Sequence, residues 1–418
     1  MSLRGLLDAW LKFWFAPKSP IPVALFRIVF GLLMLDQAIF HIGPDVLDWL
    51  GPHAITSADA VHQYWWNNEP RFDVFMIVPN TDNGTYFVWG IFIAAAFLVT
   101  IGFKTRAASI VCALILISVN NRQPFALNGG DAMMRTLCGY LCFTEAGAAF
   151  SVDRLIQRWK NPVFGEEGRP RLCAPWGQRM IQVQLSITYW STFCAKISGA
   201  QWLDGTAVYY ATHLDDMIMN PMPLYDNLVF CKFLTWYTLF FEGAMWSLVW
   251  IRELRYFILA GTLVMHIGID HSINLPIFEW VFMTAFLTFI YPEDLTKLME
   301  LIKTQIYARF GASTPLVYSG AYARQKSQAS LIDGLDVFGR LAIKAADLEG
   351  ATTEIKEEQR LTAMTKYGPL TGYDLFAWLT GRLPLLWCFY PFVGLPWAMS
   401  HKASSEPKTE RKSVTESQ

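Results

Sequence analysis

Apolar residues in this chain gather into long blocks, with polar residues confined mostly to the joints between them. Eight blocks come close to the ~20 residues that an α-helix needs to cross a bilayer. They are residues 21–41, 85–103, 106–121, 131–150, 178–197, 228–250, 255–271 and 275–291. The third and seventh are short, which predicts tilting or burial within a bundle. Ahead of the first block, "MSLRGLLDAWLKFWFA" sets Leu3, Leu6, Leu7, Trp10 and Trp14 near helical spacing, with Arg4, Asp8 and Lys12 between them. That pattern predicts an interfacial amphipathic helix within residues 1–20 rather than a cleaved leader. After residue 295 the pattern changes. "TPLVY" reads as a strand, a polar helix follows, and "RLAIKAADL" reads as a second strand.

Composition supports a membrane reading. Hydrophobic residues make up 53% of the 418, there are 17 tryptophans, and the formal net charge is only −1. No basic excess points to nucleic acid. The positions of the cations add an orientation. Twelve lysines and arginines, from Arg4 to Arg255, fall before span one and in alternate loops, against Arg71 and Arg122 in the others. By the positive-inside rule the N-terminus is cytoplasmic. The fold class expected is therefore an all-α polytopic membrane domain over 21–295. A small α/β lobe over 310–400 and a polar, disordered tail over 401–418 follow it. In a bacterium this is a multi-pass protein of the plasma (inner) membrane.

On that orientation the unusual polar residues converge on the exterior ends of the spans: Asp36, His41, "NGGD" (128–131), Arg135, Lys196 and "HIGIDH" (266–271). Ionisable groups at membrane depth are costly and read first as functional. Lys196 closes an apolar run and has no acid within four residues on its N-terminal side. An unpaired lysine in an apolar pocket loses charge and can serve as a base; the plainer alternative is an ammonium that snorkels to the headgroups. His266 sits on an apolar helix and reads equally as a satisfied core histidine. Asn128, Gly129, Gly130 and Asp131 form a turn in which Asp131 can cap the next helix. Arg27, Glu145 and Glu242, at the inner ends, are expected to pair with one another. The seven cysteines show no metal-ligand spacing, so neither a metal site nor a disulfide framework is expected.

Four blocks together resemble the HTTM family, which contains the vitamin K-dependent gamma-glutamyl carboxylases. They are "PVALFRIVFGLLMLDQA" (22–38), "NGGDAMMRTLCGYLCFTEAGAAFSVDRL" (128–155), "KISGAQWLDG" (196–205) and "MHIGIDHS" (265–272), in the family's order across residues 10–295. The resemblance implies a base at Lys196 that deprotonates a reduced vitamin K or another hydroquinone. Oxygen and carbon dioxide are then cosubstrates, a peptide glutamate or small molecule is the acceptor on the outer side, and no metal is needed. It also implies that His266 orients the quinol oxygen, and that Asn128, Gly129, Gly130, Asp131, Arg135, Trp202, Asp204 and Gly205 line the quinone site. The chain departs from the carboxylases in having one lysine where they have two, in reading Asn128-Gly129-Gly130 where they read Asn-Asn-His, and in lacking their large lumenal region.

Residues 314–350 and 368–396 are similar to the DCC thiol-disulfide oxidoreductase family. Where that family carries two cysteines this chain reads "SGAYARQ", so a degenerate thioredoxin-like lobe without dithiol chemistry is expected. A ninth span over 374–397 competes with that reading. Two functions remain open: a carboxylase-like or quinol-epoxidase-like membrane enzyme, and a non-catalytic membrane factor that binds or matures a secreted peptide. A transporter is disfavoured because no internal repeat is evident.

Overall fold

The computed structural model describes residues 2–66, 69, 71–310, 313–319, 322–345, 360–365 and 367–404. It is mostly helical, and it divides into two compact units. One comprises residues 1–153 and 170–295; the other comprises 154–169 and 296–418.

The first unit is a helical bundle. Helix α1 (Leu3–Phe15) buries none of its residues and leaves Leu3, Leu6, Leu7 and Trp10 exposed, as a surface-lying helix does. Helix α2 (Ile21–Asp36) starts at Pro20 and Pro22, whose missing N–H groups cost nothing in a first turn. It continues through one wider turn, Gln37–His41. Thr81 caps α3 (Asp82–Ile101) by accepting from the Gly84 amide at 3.2 Å. The start of α4 (Thr105–Arg122) is held by the Asp153 carboxylate, which accepts from the amides of Lys104 and Thr105 at 2.8 and 3.0 Å. Next come α5 (Gly129–Leu141), α6 (Trp176–Ile197), α7 (Leu228–Ser247), α8 (Arg255–Ser272) and α9 (Phe278–Phe286).

Each of the eight apolar blocks overlaps one of the helices α2 to α9. Their core is aromatic and aliphatic: Phe26, Phe30, Phe92, Met134, Leu137, Ile181 and Leu185 are all fully buried. The opposite faces are apolar as well. Phe87, Ile187, Phe233 and Phe257 stand more than half exposed, which for a bundle in water would be an unstable surface and in lipid is the expected one. This is a membrane protein. Among the described residues three helices, Ile21–His41, Asp82–Ile101 and Leu228–Trp250, are long and apolar enough to cross a membrane. The fourth block is shorter than expected: α5 ends at Leu141 after 13 residues, about 20 Å against a core of ~30 Å.

The expected pairing among Arg27, Glu145 and Glu242 does not occur. Arg27, fully buried, donates to the carbonyls of Ala146 (3.1 Å) and Phe150 (2.5 Å). Glu145 pairs at 3.0 Å with Arg106, and Glu242 is taken by Lys196.

In the second unit, α10 (Pro292–Phe310) enters from the bundle's last residues, followed by β1 (Thr314–Tyr318), α11 (Ala323–Leu335), β2 (Leu341–Ala345), β3 (Thr362–Thr365) and β4 (Gly368–Thr371). The sheet order is β2-β1-β3-β4, with β1 parallel to β2 and antiparallel to β3. Both strands read from "TPLVY" and "RLAIKAADL" are present, though 346–350 lie outside the described residues. Helix α12 (Gly372–Thr380) buries Leu375, Trp378 and Leu379 in the core beneath the sheet with Leu316, Ala363 and Leu370. The segment considered as a ninth span is broken: the helical stretch after residue 383 turns from α12 by 106°. Arg382 sits in that break, and Pro384 opens the helical stretch that follows, where its missing N–H costs nothing. Most of the expected tail, 405–418, lies outside the described residues.

Candidate functional site

Lys196 lies in the last turn of α6, and its surroundings correct the expectation of an acid-free lysine. Its Nζ donates to Oε1 of Glu242 on α7 at 2.8 Å and stands 5.1 Å from the centroid of the Trp202 ring. The Glu242 side chain is 8% exposed and the Lys196 side chain 23%. Glu242 is 46 residues away in sequence, so the local spacing around Lys196 carries no trace of it. The contact ties the end of α6 to α7. The second oxygen of Glu242, Oε2, is buried and has no hydrogen-bond partner among the described residues.

Seven residues before Lys196, on the same face of α6, Tyr189 begins a second set of contacts. Its hydroxyl meets Nε2 of His266 on α8 at 2.5 Å, and Nδ1 of His266 meets Oε2 of Glu279 on α9. A carboxylate accepts only, so Nδ1 carries the proton and Nε2 accepts from the tyrosine hydroxyl. All three side chains are buried, and the imidazole stacks on Phe282 with centroids 5.5 Å apart. Glu279 Oε1, like Glu242 Oε2, has no partner. Lys196–Glu242 joins α6 to α7 and Tyr189–His266–Glu279 joins α6, α8 and α9, two sets that share α6, hereafter the polar seam. Tyr189 and Glu279 were not among the residues expected from sequence. The available hints were the heptad offset from Lys196 and the lone acid in "PIFEWVFMTAF".

The turn before Glu279 is strained. Ile277 has φ +64°, a conformation that β-branched residues avoid. Against this turn lie the residues of "NGGD". Asn128 caps α5 and, with Asp131, completes a capping box. Asp131 Oδ1 also accepts from Gln37 at 2.9 Å, and Asn128 Nδ2 donates to the Pro276 carbonyl at 3.5 Å. A Cβ on Gly130 would stand 2.6 Å from Cα of Phe278, and one on Gly129 would be 3.0 Å from the Phe278 ring. These residues brace the segment that carries Glu279. Gly130→Ala is expected to lower the thermal midpoint, at a cost of about 1–3 kcal/mol for a clash against backbone; an unchanged midpoint would mean that this close approach is absent.

The other expected residues are spread further. Trp202 is beside Lys196, as stated. Asp204 is exposed and accepts from the Thr206 hydroxyl and amide at 2.6 and 2.9 Å, which holds its carboxyl below the ordinary value. Gly205, at φ +86°, ends the short helix Ala200–Asp204. Arg135 is half-buried on α5 and has no hydrogen-bond or ionic partner among the described residues. A cavity of about 450 Å³ opens beside the strained turn, lined by Leu32, Leu33, Ile277 and Trp280 with Asp36, His41 and Asp270 among its polar members. Its lining includes neither Lys196 nor His266.

The seam can bind a donor group at two orphaned carboxylate oxygens, neutralise negative charge at Lys196, and relay a proton through a phenol and an imidazole. A family model described as the HTTM domain matches residues 15–294. No curated protein and no solved structure matches the chain.

Proposed function

We propose that this chain, which belongs to the HTTM family of vitamin K-dependent gamma-carboxylase-like proteins, is a membrane enzyme that acts on a lipid-soluble hydroquinone at the Lys196–Glu242 pair. The observation that carries the reading is Glu242 Oε2, buried beside Lys196 with no hydrogen-bond partner among the described residues. Leaving a carboxylate oxygen unsatisfied costs stability. A ligand hydroxyl would supply the missing donor, so the residues fit a phenolic group. Such a group, when bound, brings an acidic hydroxyl and reducing electrons. By family likeness Lys196 takes the proton, Glu242 balances the charge that the amine gains, and Trp202, 5.1 Å from Nζ, flanks the pair. Tyr189, His266 and Glu279 form the route by which a proton leaves the interior. Placement of this seam toward the exterior rests on the distribution of basic residues. Oxygen and carbon dioxide as cosubstrates, and a secreted peptide or small-molecule acceptor, belong to the same proposal by family likeness.

The test is to incubate the purified protein with reduced naphthoquinone and oxygen and to follow the quinone epoxide. Product is expected from wild type, with a loss of about 100-fold or more in Lys196→Ala and Glu242→Gln. Absence of epoxide from wild type, or an unchanged rate in both variants, removes the enzyme reading.

A second reading is favoured by the same ion pair. Lys196 and Glu242 also suit a purely structural clamp between α6 and α7 in a non-catalytic factor that binds or matures a secreted peptide. The second unit is compatible with either. Its strand order and directions support the thioredoxin-like reading of residues 310–400, and no cysteine occurs between Cys231 and Cys388 to make it redox-active.

A further inference from the structure

At the far end of α6 from Lys196, three cations converge on one cavity without an acid. The cavity holds about 360 Å³, and Lys18, Gln178, Arg179, Arg255 and Tyr291 contribute its polar lining. No aspartate or glutamate lines it. Arg255, only 7% exposed, spends its donors on neutral acceptors: Nε on the Val249 carbonyl at 2.9 Å and Nη1 on that of Phe289 at 3.3 Å. Arg179 donates to the Phe13 carbonyl at 3.2 Å and to Gln182 Oε1 at 2.7 Å, and its guanidinium lies 4.4 Å from the Phe13 ring centroid. Lys18, exposed at the edge, has no hydrogen-bonded side-chain partner among the described residues. None of the three has a carboxylate within ion-pair distance among the described residues.

Like charges gathered around a partly buried space repel one another and are poorly solvated, so the arrangement is costly unless an anion completes it. Lys18 registers this cost: burial, then the neighbouring charges of Arg179 and Arg255, hold its ammonium below the ordinary lysine value, against an opposing pull from Glu293. We infer that this cavity binds a phosphate-bearing anion, either the headgroup of an acidic phospholipid or a free phosphate ester. The Nη2 groups of Arg179 and Arg255 make none of those hydrogen bonds and remain for phosphate oxygens, and the lysine adds a point charge at the mouth. Helix α1 supplies Phe13 to the wall and carries its exposed apolar residues next door, so an acyl chain would have an apolar surface to follow. The volume suits a headgroup or a small phosphate ester.

The experiment uses the full chain in phosphatidylcholine nanodiscs and follows the thermal unfolding midpoint. One arm adds phosphatidylglycerol to the discs. The other adds inorganic phosphate, with sodium chloride at matched ionic strength as reference. A rise with phosphatidylglycerol alone assigns a lipid headgroup, and a rise with phosphate beyond chloride assigns a soluble ester; either supports the site. Lys18→Gln and Arg179→Gln should each raise the half-effective probe concentration about tenfold, the loss of one charge-assisted contact. Lys12→Gln, on α1 but outside the lining, should leave it unchanged. Lys18 is exposed, so its variant is expected to fold even if the Arg179 variant does not. The inference is overturned if neither probe exceeds the chloride reference, or if Lys18→Gln behaves as Lys12→Gln does.

Discussion

Alanine at Glu279 is expected to destabilise the bundle by about 3 kcal/mol, the cost of losing a hydrogen bond to a charged acceptor and leaving its buried donor unpaired. The carboxylate is fully buried, and its loss strands the Nδ1–H of His266 in an apolar wall of Phe282 and Phe286. Freed from that acceptor, the imidazole can change tautomer and cease to accept from Tyr189, so the contact at Nε2 is lost as well. Glu279→Gln retains an acceptor and nearly the same volume, and should cost about 1–2 kcal/mol. The comparison is read from thermal midpoints of the three proteins in one detergent. Equal midpoints for Glu279→Ala and wild type would show that the three side chains do not form a buried chain.

The Lys196–Glu242 pair makes the second large prediction, and it separates enzyme from scaffold. Lys196→Met leaves a carboxylate that is 8% exposed without its countercharge, and should cost about 3–5 kcal/mol. Glu242→Gln leaves the better-solvated partner, 23% exposed and still over Trp202, and should cost less, about 1–2 kcal/mol. The double variant Lys196→Met with Glu242→Leu buries no unpaired charge, so much of the stability should return, with a coupling near 2 kcal/mol. If the pair only clamps α6 to α7, restored stability restores function. If the pair moves a proton, the double variant is stable and still yields no epoxide. Additive losses in stability would mean that the two side chains do not interact.

Much of the bundle was legible before any coordinates. Helices follow from apolar blocks because a backbone in lipid has no other partner for its polar groups, and α2 to α9 lie where the eight blocks do. The cap at Asn128 and Asp131 was equally readable, because a capping box is a contact among neighbours in sequence. The end of α5 was misjudged because Cys142, Phe143 and Ala146 to Phe150 are mostly apolar yet lie outside the α-helix, with only a 3-10 turn at Ala146–Ala148, and composition does not distinguish a spanning helix from other apolar chain.

Hydropathy determined a helical membrane protein, four motifs carried its resemblance to the HTTM family, and Lys196 and His266 stood out because each is a single polar position against an apolar background. The tertiary structure alone decided that Lys196 meets Glu242, that His266 lies between Tyr189 and Glu279, and that Lys18, Arg179 and Arg255 share a cavity. In each case the partner comes from another helix, and the charge state of a side chain in a low-dielectric interior depends on which partner arrives. Helical spacing records only the neighbours three or four residues away.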